Sequence, residues 1–488
     1  MADELPLRAS ENIQGNILAA FNKDHMTFLL LDFTDSEGAR EWLKEIHQRV
    51  TTTKEVEDFN TEFSNARRAR GGEDPPMKAV WVNVGLTIDG LEALASDFGG
   101  LDADLRNLSG DDQWPGFADF QAKPAARAED LGDTGRSAPE NWVFGGPGQP
   151  DVDAVVTVAA DEPEDLETRL GEIQRRAARH GVTTIFRLDG NTLPGKRRKG
   201  HEHFGFKDGI SQPGVRQFHP TTPDGEERLN HPGTKMVHPG EFVLGYPDEH
   251  DGRTHEDIPD WMKDGSFQVL RRLAQDVPGW WAQMRQARDL ENFEGGEDRL
   301  AAKTVGRWRS GSPLAHAPNH DDLSARNPDK INNFEFEPDD PEGEKTPRFA
   351  HVRKTYPRTQ RFNEAQHRIM RRGIPFGLHF DPALGRGHGQ DAERGLIFNA
   401  HCADLEAQFE FIQRRWVNND PFPFKEDGNP DDPDPGRDPV LGTGGKASLH
   451  EKGTNQELDF MRFVHTTGAL YAFAPSKSTL RSLANGDL

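Results

Sequence analysis

One cysteine, Cys402, in 488 residues leaves no partner for an intrachain disulfide and no second thiolate for a cysteine-based zinc site. There is no Cys-x-x-Cys-His either, which excludes the usual covalent attachment of haem. No apolar run reaches the length that spans a bilayer. Positive charge is in deficit: 59 Lys and Arg against 82 Asp and Glu give a net charge of -23, which excludes duplex DNA and anionic membranes as natural partners. Met1 to Glu11 lacks a basic segment followed by an apolar one, so the expectation is a cytoplasmic protein.

What is present is loop and alternating secondary structure. The chain holds 49 Gly and 34 Pro, and its length suffices for two cores. Thr27–Phe33, Ala79–Val84, Asp153–Ala159 and Thr183–Leu188 read as strands. Ser36–Val50 and Glu162–His180 carry apolar residues at helical spacing, Leu91–Phe98 reads as a short helix, and 99–150 reads as loop. Strand–helix–strand twice over is a split β-α-β layout, an α+β fold with helices on one face of an antiparallel sheet. The second half repeats the order with insertions. Its expected strands are Glu241–Tyr246, Ser266–Leu273, Phe349–Lys354, Gly395–Ala400 and Ala469–Phe473. Arg368–Arg372 enters a hairpin, and Val277–Ala287 and Asp404–Val417 are the expected helices. Residues 418–445 form a Pro/Asp/Gly loop too long for a simple connector. The reading is two copies of one unit, divided as 1–195 and 196–488.

Chemistry concentrates in three segments. His203–Gly214 contains Gly-x-x-Asp-Gly, with Asp208 on a turn that can face a pocket; taken alone, Asp-Gly is most often just a tight turn. In a chain almost without cysteine, histidine is the natural iron ligand. Of 19 histidines, His351 stands inside an apolar run and is followed by Arg353 and Lys354, two cations suited to a ligand's carboxylates. Ile369–Gly377 places Arg371 and Arg372 on an apolar stretch, where a guanidinium needs a partner such as Asp208; a plain structural ion pair is the simpler alternative.

Together, the Gly-x-x-Asp-Gly, Ala-His-Val-Arg-Lys and Met-Arg-Arg-Gly-Ile-Pro-Phe-Gly segments resemble those of the dye-decolorizing peroxidases, the larger members in particular, and the likeness runs along nearly the whole chain. The resemblance implies two ferredoxin-like domains and one noncovalent haem b, bound mainly by the second. It implies Asp208 as distal acid, Arg371 as distal arginine with Arg372 one position away as the alternative, and His351 as the iron's axial ligand. Leu396 and Phe398 fall over the haem, and Asp438 falls where an acid holds the proximal histidine. His367, four residues before Arg371, competes for the ligand role.

The implied reaction takes a proton from one oxygen of hydrogen peroxide and delivers it to the other, which needs a base in hydrogen-bond reach and a fixed positive charge. An aspartate base beside an arginine stays ionised in mild acid, so activity is expected to be best there. Dyes, phenols or other aromatic one-electron donors would be the reductants. Trp308 and Tyr356 are candidate electron relays, though core packing or surface chance is the favoured explanation of both. The competing function is a haem-binding protein for storage, delivery or iron release, in which peroxidase activity is incidental.

Overall fold

The computed structural model describes residues 6–96, 98–109, 116–220, 234–250, 258–291, 293–359, 361–380, 392–425 and 433–488. Residues 110–115 and 426–432, inside two of the expected loops, lie outside these. The first half supplies strands β1 (His25–Phe33), β2 (Val80–Leu86), β3 (Ala154–Ala160) and β4 (Val182–Asn191). The second supplies β5 (Ser266–Gln275), β6 (Met370–Arg371), β7 (Ile374–Gly377), β8 (Arg394–Cys402) and β9 (Val464–Ala474). All nine belong to one sheet in the order β4-β1-β3-β2-β9-β5-β8-β6, with β7 also on β8.

The two halves share one topology. Within the first, the spatial order is fourth–first–third–second strand; within the second, β9, β5, β8 and the β6–β7 pair repeat it. This is the ferredoxin-like order, and every ladder in the sheet is antiparallel. The halves join at a single pairing, Phe473 of β9 with Leu86 of β2. The far edges meet as well: a Cβ placed on Gly190 of β4 would lie 2.3 Å from Ile374 Cγ2 of β7. Only glycine permits that approach, and the sheet curls back on itself there.

Because strand side chains alternate, each half has an inner and an outer face. Phe28, Leu30, Val155, Leu188, Leu270, Ile397 and Leu470 fill the inside as one core. On the outer face of the first half, Leu29, Leu31, Val82, Val84, Val156 and Val158 pack with Trp42 and Leu43 of helix α1 (Ser36–Ile46) and with Leu166 and Leu170 of helix α2 (Pro163–Arg179). Asp35 caps α1 by accepting the Gly38 N–H at 2.8 Å, and α2 starts on Pro163 with Glu164 and Asp165 in its first turn, each matched to the positive end of a helix. The C-terminal helix Lys477–Asn485 joins this core through Leu480 and Leu483.

Three expectations are corrected. Phe349–Lys354 is no strand: a single helical turn, α3 (His351–Thr355), stands there after Ala350. Glu241–Tyr246 forms no strand either. Pro239–Glu241 is a 3₁₀ turn and Gly245 has φ 93°, a conformation that ends extended structure. The segment 99–150 is not all loop, since Phe98–Ser109 and Gly116–Ala126 are helical, the latter broken at Lys123–Pro124.

Candidate active site

The outer face of the second half is not sealed by helices; it floors a cavity of about 250 Å³. The pleat decides what faces it. Ile397 points into the inner core, while its neighbours Leu396 and Phe398 line the cavity, as do Arg271, Leu273 and Gln275 of β5 and Val464 and Thr466 of β9. Helix α3 and the Gly-x-x-Asp-Gly turn supply other walls, with His351, Val352, Thr355, Asp208 and Gly209 all lining. A more polar cavity of about 660 Å³ also reaches Asp208, Arg371 and Leu396.

The turn holds Asp208 rigidly. Its N–H donates to Gly200 O at 2.9 Å, and its Oδ1 accepts the Gly209 N–H at 2.6 Å. Gly209 has φ 75°, which a side chain would strain. Glu202 braces the preceding residues by accepting the N–H groups of Phe204 and Phe206, each at 2.8 Å, and the Gln275 amide at 2.7 Å. Arg371 Nη1 donates to Asp208 Oδ1 at 2.9 Å. Gln212 orients that arginine through its backbone, donating to Arg371 O at 3.0 Å and accepting from Arg371 N at 3.4 Å. Burial pushes the Asp208 carboxyl up, but Arg371, the Gly209 N–H and His351 outweigh it and hold the group below its ordinary 3.8. The Asp208 side chain is 39% exposed, and it borders both cavities.

Arg372 plays another part. Its guanidinium donates to Asn16 O, Ile17 O and Leu18 O at 2.7–2.9 Å, tying the β6 end to the N-terminal turn. Of the two adjacent arginines, Arg371 is the one that pairs with Asp208.

His351 Nδ1 lies 2.7 Å from Asp438 Oδ2. Asp438 is fully buried, and its Oδ1 accepts the N–H groups of Val440 at 2.7 Å and Leu441 at 3.2 Å. A carboxylate so held is an acceptor, so Nδ1 carries the proton, and among the described residues no hydrogen bond engages Nε2. His367 also lines the cavity, but its Nδ1 meets a neutral carbonyl, Ala407 O at 2.5 Å, and its ring stacks on Phe411 at 3.8 Å.

Arg353 does not fit the expectation that it meets a ligand. It is 2% exposed, does not line the cavity, donates to Asp340 O and Thr346 O at 2.9 Å each, and lies 3.5 Å from Asp340 Oδ2. The helical turn, in place of a strand, carries it to the far side of α3. Lys354 likewise donates to Asn419 O and Phe422 O and does not line the cavity.

The cations that do line the cavity are scattered in sequence. Arg307, Arg358 and Arg368 have neutral partners: Arg307 donates to Gly311 O, Ile331 O and Asn332 Oδ1, and Arg358 to Asn332 O and Ser211 Oγ. Arg358 and Arg368 lie over the Tyr356 ring at 4.7 and 3.8 Å. Among the described residues no carboxylate is within ion-pair reach of these three. Burial, and then the neighbouring cations, push Arg307 down to about 9. Arg271 contrasts with them: its Nη2 lies 2.5 Å from Asp133 Oδ2, so its charge is already met.

No group of three His, Cys, Asp or Glu that could hold a bare metal ion occurs among the described residues. A metal bound at His351 would therefore have to bring its other donors with it. Apolar walls, one imidazole with a free Nε2 and three unneutralised arginines together fit a flat, dianionic iron porphyrin. Cys402 is buried and does not line the cavity, so it offers such a group no thioether bond. Of the candidate relays, Tyr356 lines the cavity. Trp308 does not; its Nε1 donates to Ala317 O at 2.6 Å.

Comparison with known proteins bears on this geometry. Residues 12–194 match the family profile described as DyP dimeric alpha+beta barrel domain, and residues 248–422 match that described as Dyp-type peroxidase, C-terminal. The chain is 32% identical to dye-decolorizing peroxidase msp1 of Mycetinis scorodonius, over 97% of this chain and 87% of that one. Among solved structures, an ancestral D-type dye-decolorizing peroxidase superposes with a TM-score of 0.78 at 30% identity, covering 97% of this chain and 98% of the other. A dye-decolorizing peroxidase in complex with 2,6-dimethoxyphenol gives 0.74 at 29% identity, covering 98% and 99%. Among the described residues no helix is long and apolar enough to cross a membrane.

Proposed function

The chain belongs to the dye-decolorizing peroxidase family, and from that premise we propose that it binds haem b noncovalently in the 250 Å³ cavity, reduces hydrogen peroxide there, and oxidises dyes, phenols or other aromatic one-electron donors. The observation that carries this reading is one cavity lined both by an imidazole locked to a buried carboxylate and by a carboxylate locked to an arginine.

His351 Nε2 would hold the iron, and Arg307, Arg358 and Arg368 would hold the carboxylates of the group. Bound haem supplies the iron at which peroxide is activated and the store of oxidising equivalents that aromatic donors then discharge. Asp208, held ionised, accepts a proton from one peroxide oxygen and returns it to the other as the O–O bond breaks. Arg371 offers fixed positive charge to the oxygen that leaves. Asp438 fixes the His351 tautomer and raises the basicity of the ligating nitrogen. Leu396 and Phe398 keep the reacting side apolar, which strengthens the Asp208 and Arg371 interactions. The larger polar cavity brings peroxide to the same pair. The dimethoxyphenol complex of a related peroxidase supports small phenols as reductants.

Haem titration followed by peroxide consumption tests the reading. Wild type and Asp208→Asn should both bind haem, His351→Ala should lose the absorption spectrum of histidine-bound haem, and Asp208→Asn should lose turnover. Undiminished turnover in Asp208→Asn would instead favour a haem carrier with incidental activity.

A further inference from the structure

Behind the cavity wall lies a polar cluster that the chemistry above does not use. Phe409 lines the cavity and packs against Phe398 with ring centroids 5.8 Å apart. The next residue, Glu410, is fully buried. Its Oε1 accepts the phenol of Tyr471 at 2.8 Å, and its Oε2 accepts Nη2 and Nε of Arg127 at 2.9 and 3.2 Å. Tyr471, on β9, is 4% exposed and meets the Phe409 ring edge-on at 6.3 Å. Arg127 also touches Asp119 at 3.0 Å and Asp130 at 3.2 Å, and Asp130 reaches solvent. Asp119 Oδ2 is buried without a partner. Burial and the neighbouring Glu410 push Asp119 up to about 8. Glu410 thus turns Oε1 to the phenol and Oε2 to Arg127.

A buried phenol hydrogen-bonded to a buried carboxylate, one aromatic ring away from a redox cavity, is arranged for coupled loss of an electron and a proton. An isolated phenol gives up an electron reluctantly because the product is a strongly acidic cation. A carboxylate already in hydrogen-bond contact removes the proton as the electron leaves. The other phenols lack one half of this arrangement. Tyr356 lines the cavity but has guanidinium groups over its ring at 3.8 and 4.7 Å, and adjacent positive charge opposes removal of an electron. Tyr246 donates to Asp264 at 2.6 Å, but among the described residues it has no ring contact with an aromatic side chain of the cavity, as Tyr471 has with Phe409.

We propose that Tyr471 is an internal electron donor to peroxide-oxidised haem, with Glu410 as its proton acceptor. This rests on the peroxidase reading. The balance is simple: the Tyr471 O–H bond breaks, its proton bonds to Glu410 Oε1, one electron passes by way of Phe409 to the haem oxidised by hydrogen peroxide, and a neutral tyrosyl radical remains. Being buried, Tyr471 stores an oxidising equivalent when no external donor is at hand rather than meeting bulky dyes itself.

Freeze-quenched electron paramagnetic resonance of the haem-loaded protein, after one equivalent of hydrogen peroxide and no reductant, tests this. A tyrosyl signal should appear in wild type and in Tyr246→Phe, disappear in Tyr471→Phe, and fall in yield in Glu410→Gln. Tyr471→Phe keeps the ring packing and decides the matter even if Glu410→Gln does not fold. A tyrosyl signal that survives in Tyr471→Phe overturns the proposal. So does the absence of any tyrosyl signal in a wild-type protein whose haem band responds to peroxide, and both results leave the peroxidase reading standing. A haem band indifferent to peroxide overturns both.

Discussion

The two halves of the sheet carry the same strand order and differ in what lies on the outer face. In the first half, that face is Leu29, Leu31, Val156 and Val158, wholly buried under α1 and α2. In the second, the corresponding face presents Arg271, Leu273, Gln275, Leu396 and Phe398 to a cavity. One topology thus serves once as a closed core and once as the floor of a site. The fold positions the chemistry, but the side chains on one face of three strands, and the segments that arch over them, decide whether there is any.

If this division is right, substitutions in the second half alter rate before stability, and those in the first alter stability alone. The largest effect belongs to Asp208→Asn, which should cost about 10²–10⁴-fold in peroxide turnover with haem binding retained, measured by steady-state kinetics and absorption. Arg371→Leu should cost about 10²–10³-fold. It should also move the acid limb of the pH–rate profile upward. In wild type, Arg371 helps hold Asp208 below 3.8, so activity falls only as pH drops through that low value. Without the arginine, burial raises Asp208 and the loss sets in at higher pH. An acid limb unmoved in the variant would mean that Asp208 is not the base. Asp438→Asn should cost about 10–100-fold in haem affinity or activity, since His351 loses the acceptor that sets its tautomer. The smallest effect on catalysis belongs to Leu43→Ala, in the closed half. It should lower stability by about 2–5 kcal/mol in denaturant titration and leave turnover per folded molecule unchanged.

The same division explains what was legible in the sequence. The strands of the closed half are continuous apolar runs, and their amphipathic helices read cleanly from Trp42, Leu43, Leu166 and Leu170. Phe349–Lys354 misled because a run of six residues has no period long enough to separate strand from helix. The error carried a consequence: on a helical turn, His351 faces the cavity while Arg353 turns away to Asp340. The cations that do line the cavity were hidden, because Arg307, Arg358 and Arg368 come from separate segments that only tertiary packing gathers. Glu410 and Tyr471 were hidden for the same reason, lying 61 positions apart. Asp208, Arg371 and His351 stood out because their local segments are distinctive, whereas Asp438 came only from the resemblance; the folded chain pairs Arg371 with Asp208 and His351 with the buried Asp438, and Asp208, Arg371 and His351 line one cavity.

The central claim is that this cavity is a haem peroxidase site. Its most direct test is the absorption spectrum of the haem-loaded protein before and after one equivalent of hydrogen peroxide, then after 2,6-dimethoxyphenol. A Soret band that shifts and weakens with peroxide and recovers with the phenol is the predicted result. A band indifferent to peroxide, or no band after haem is added, would contradict it.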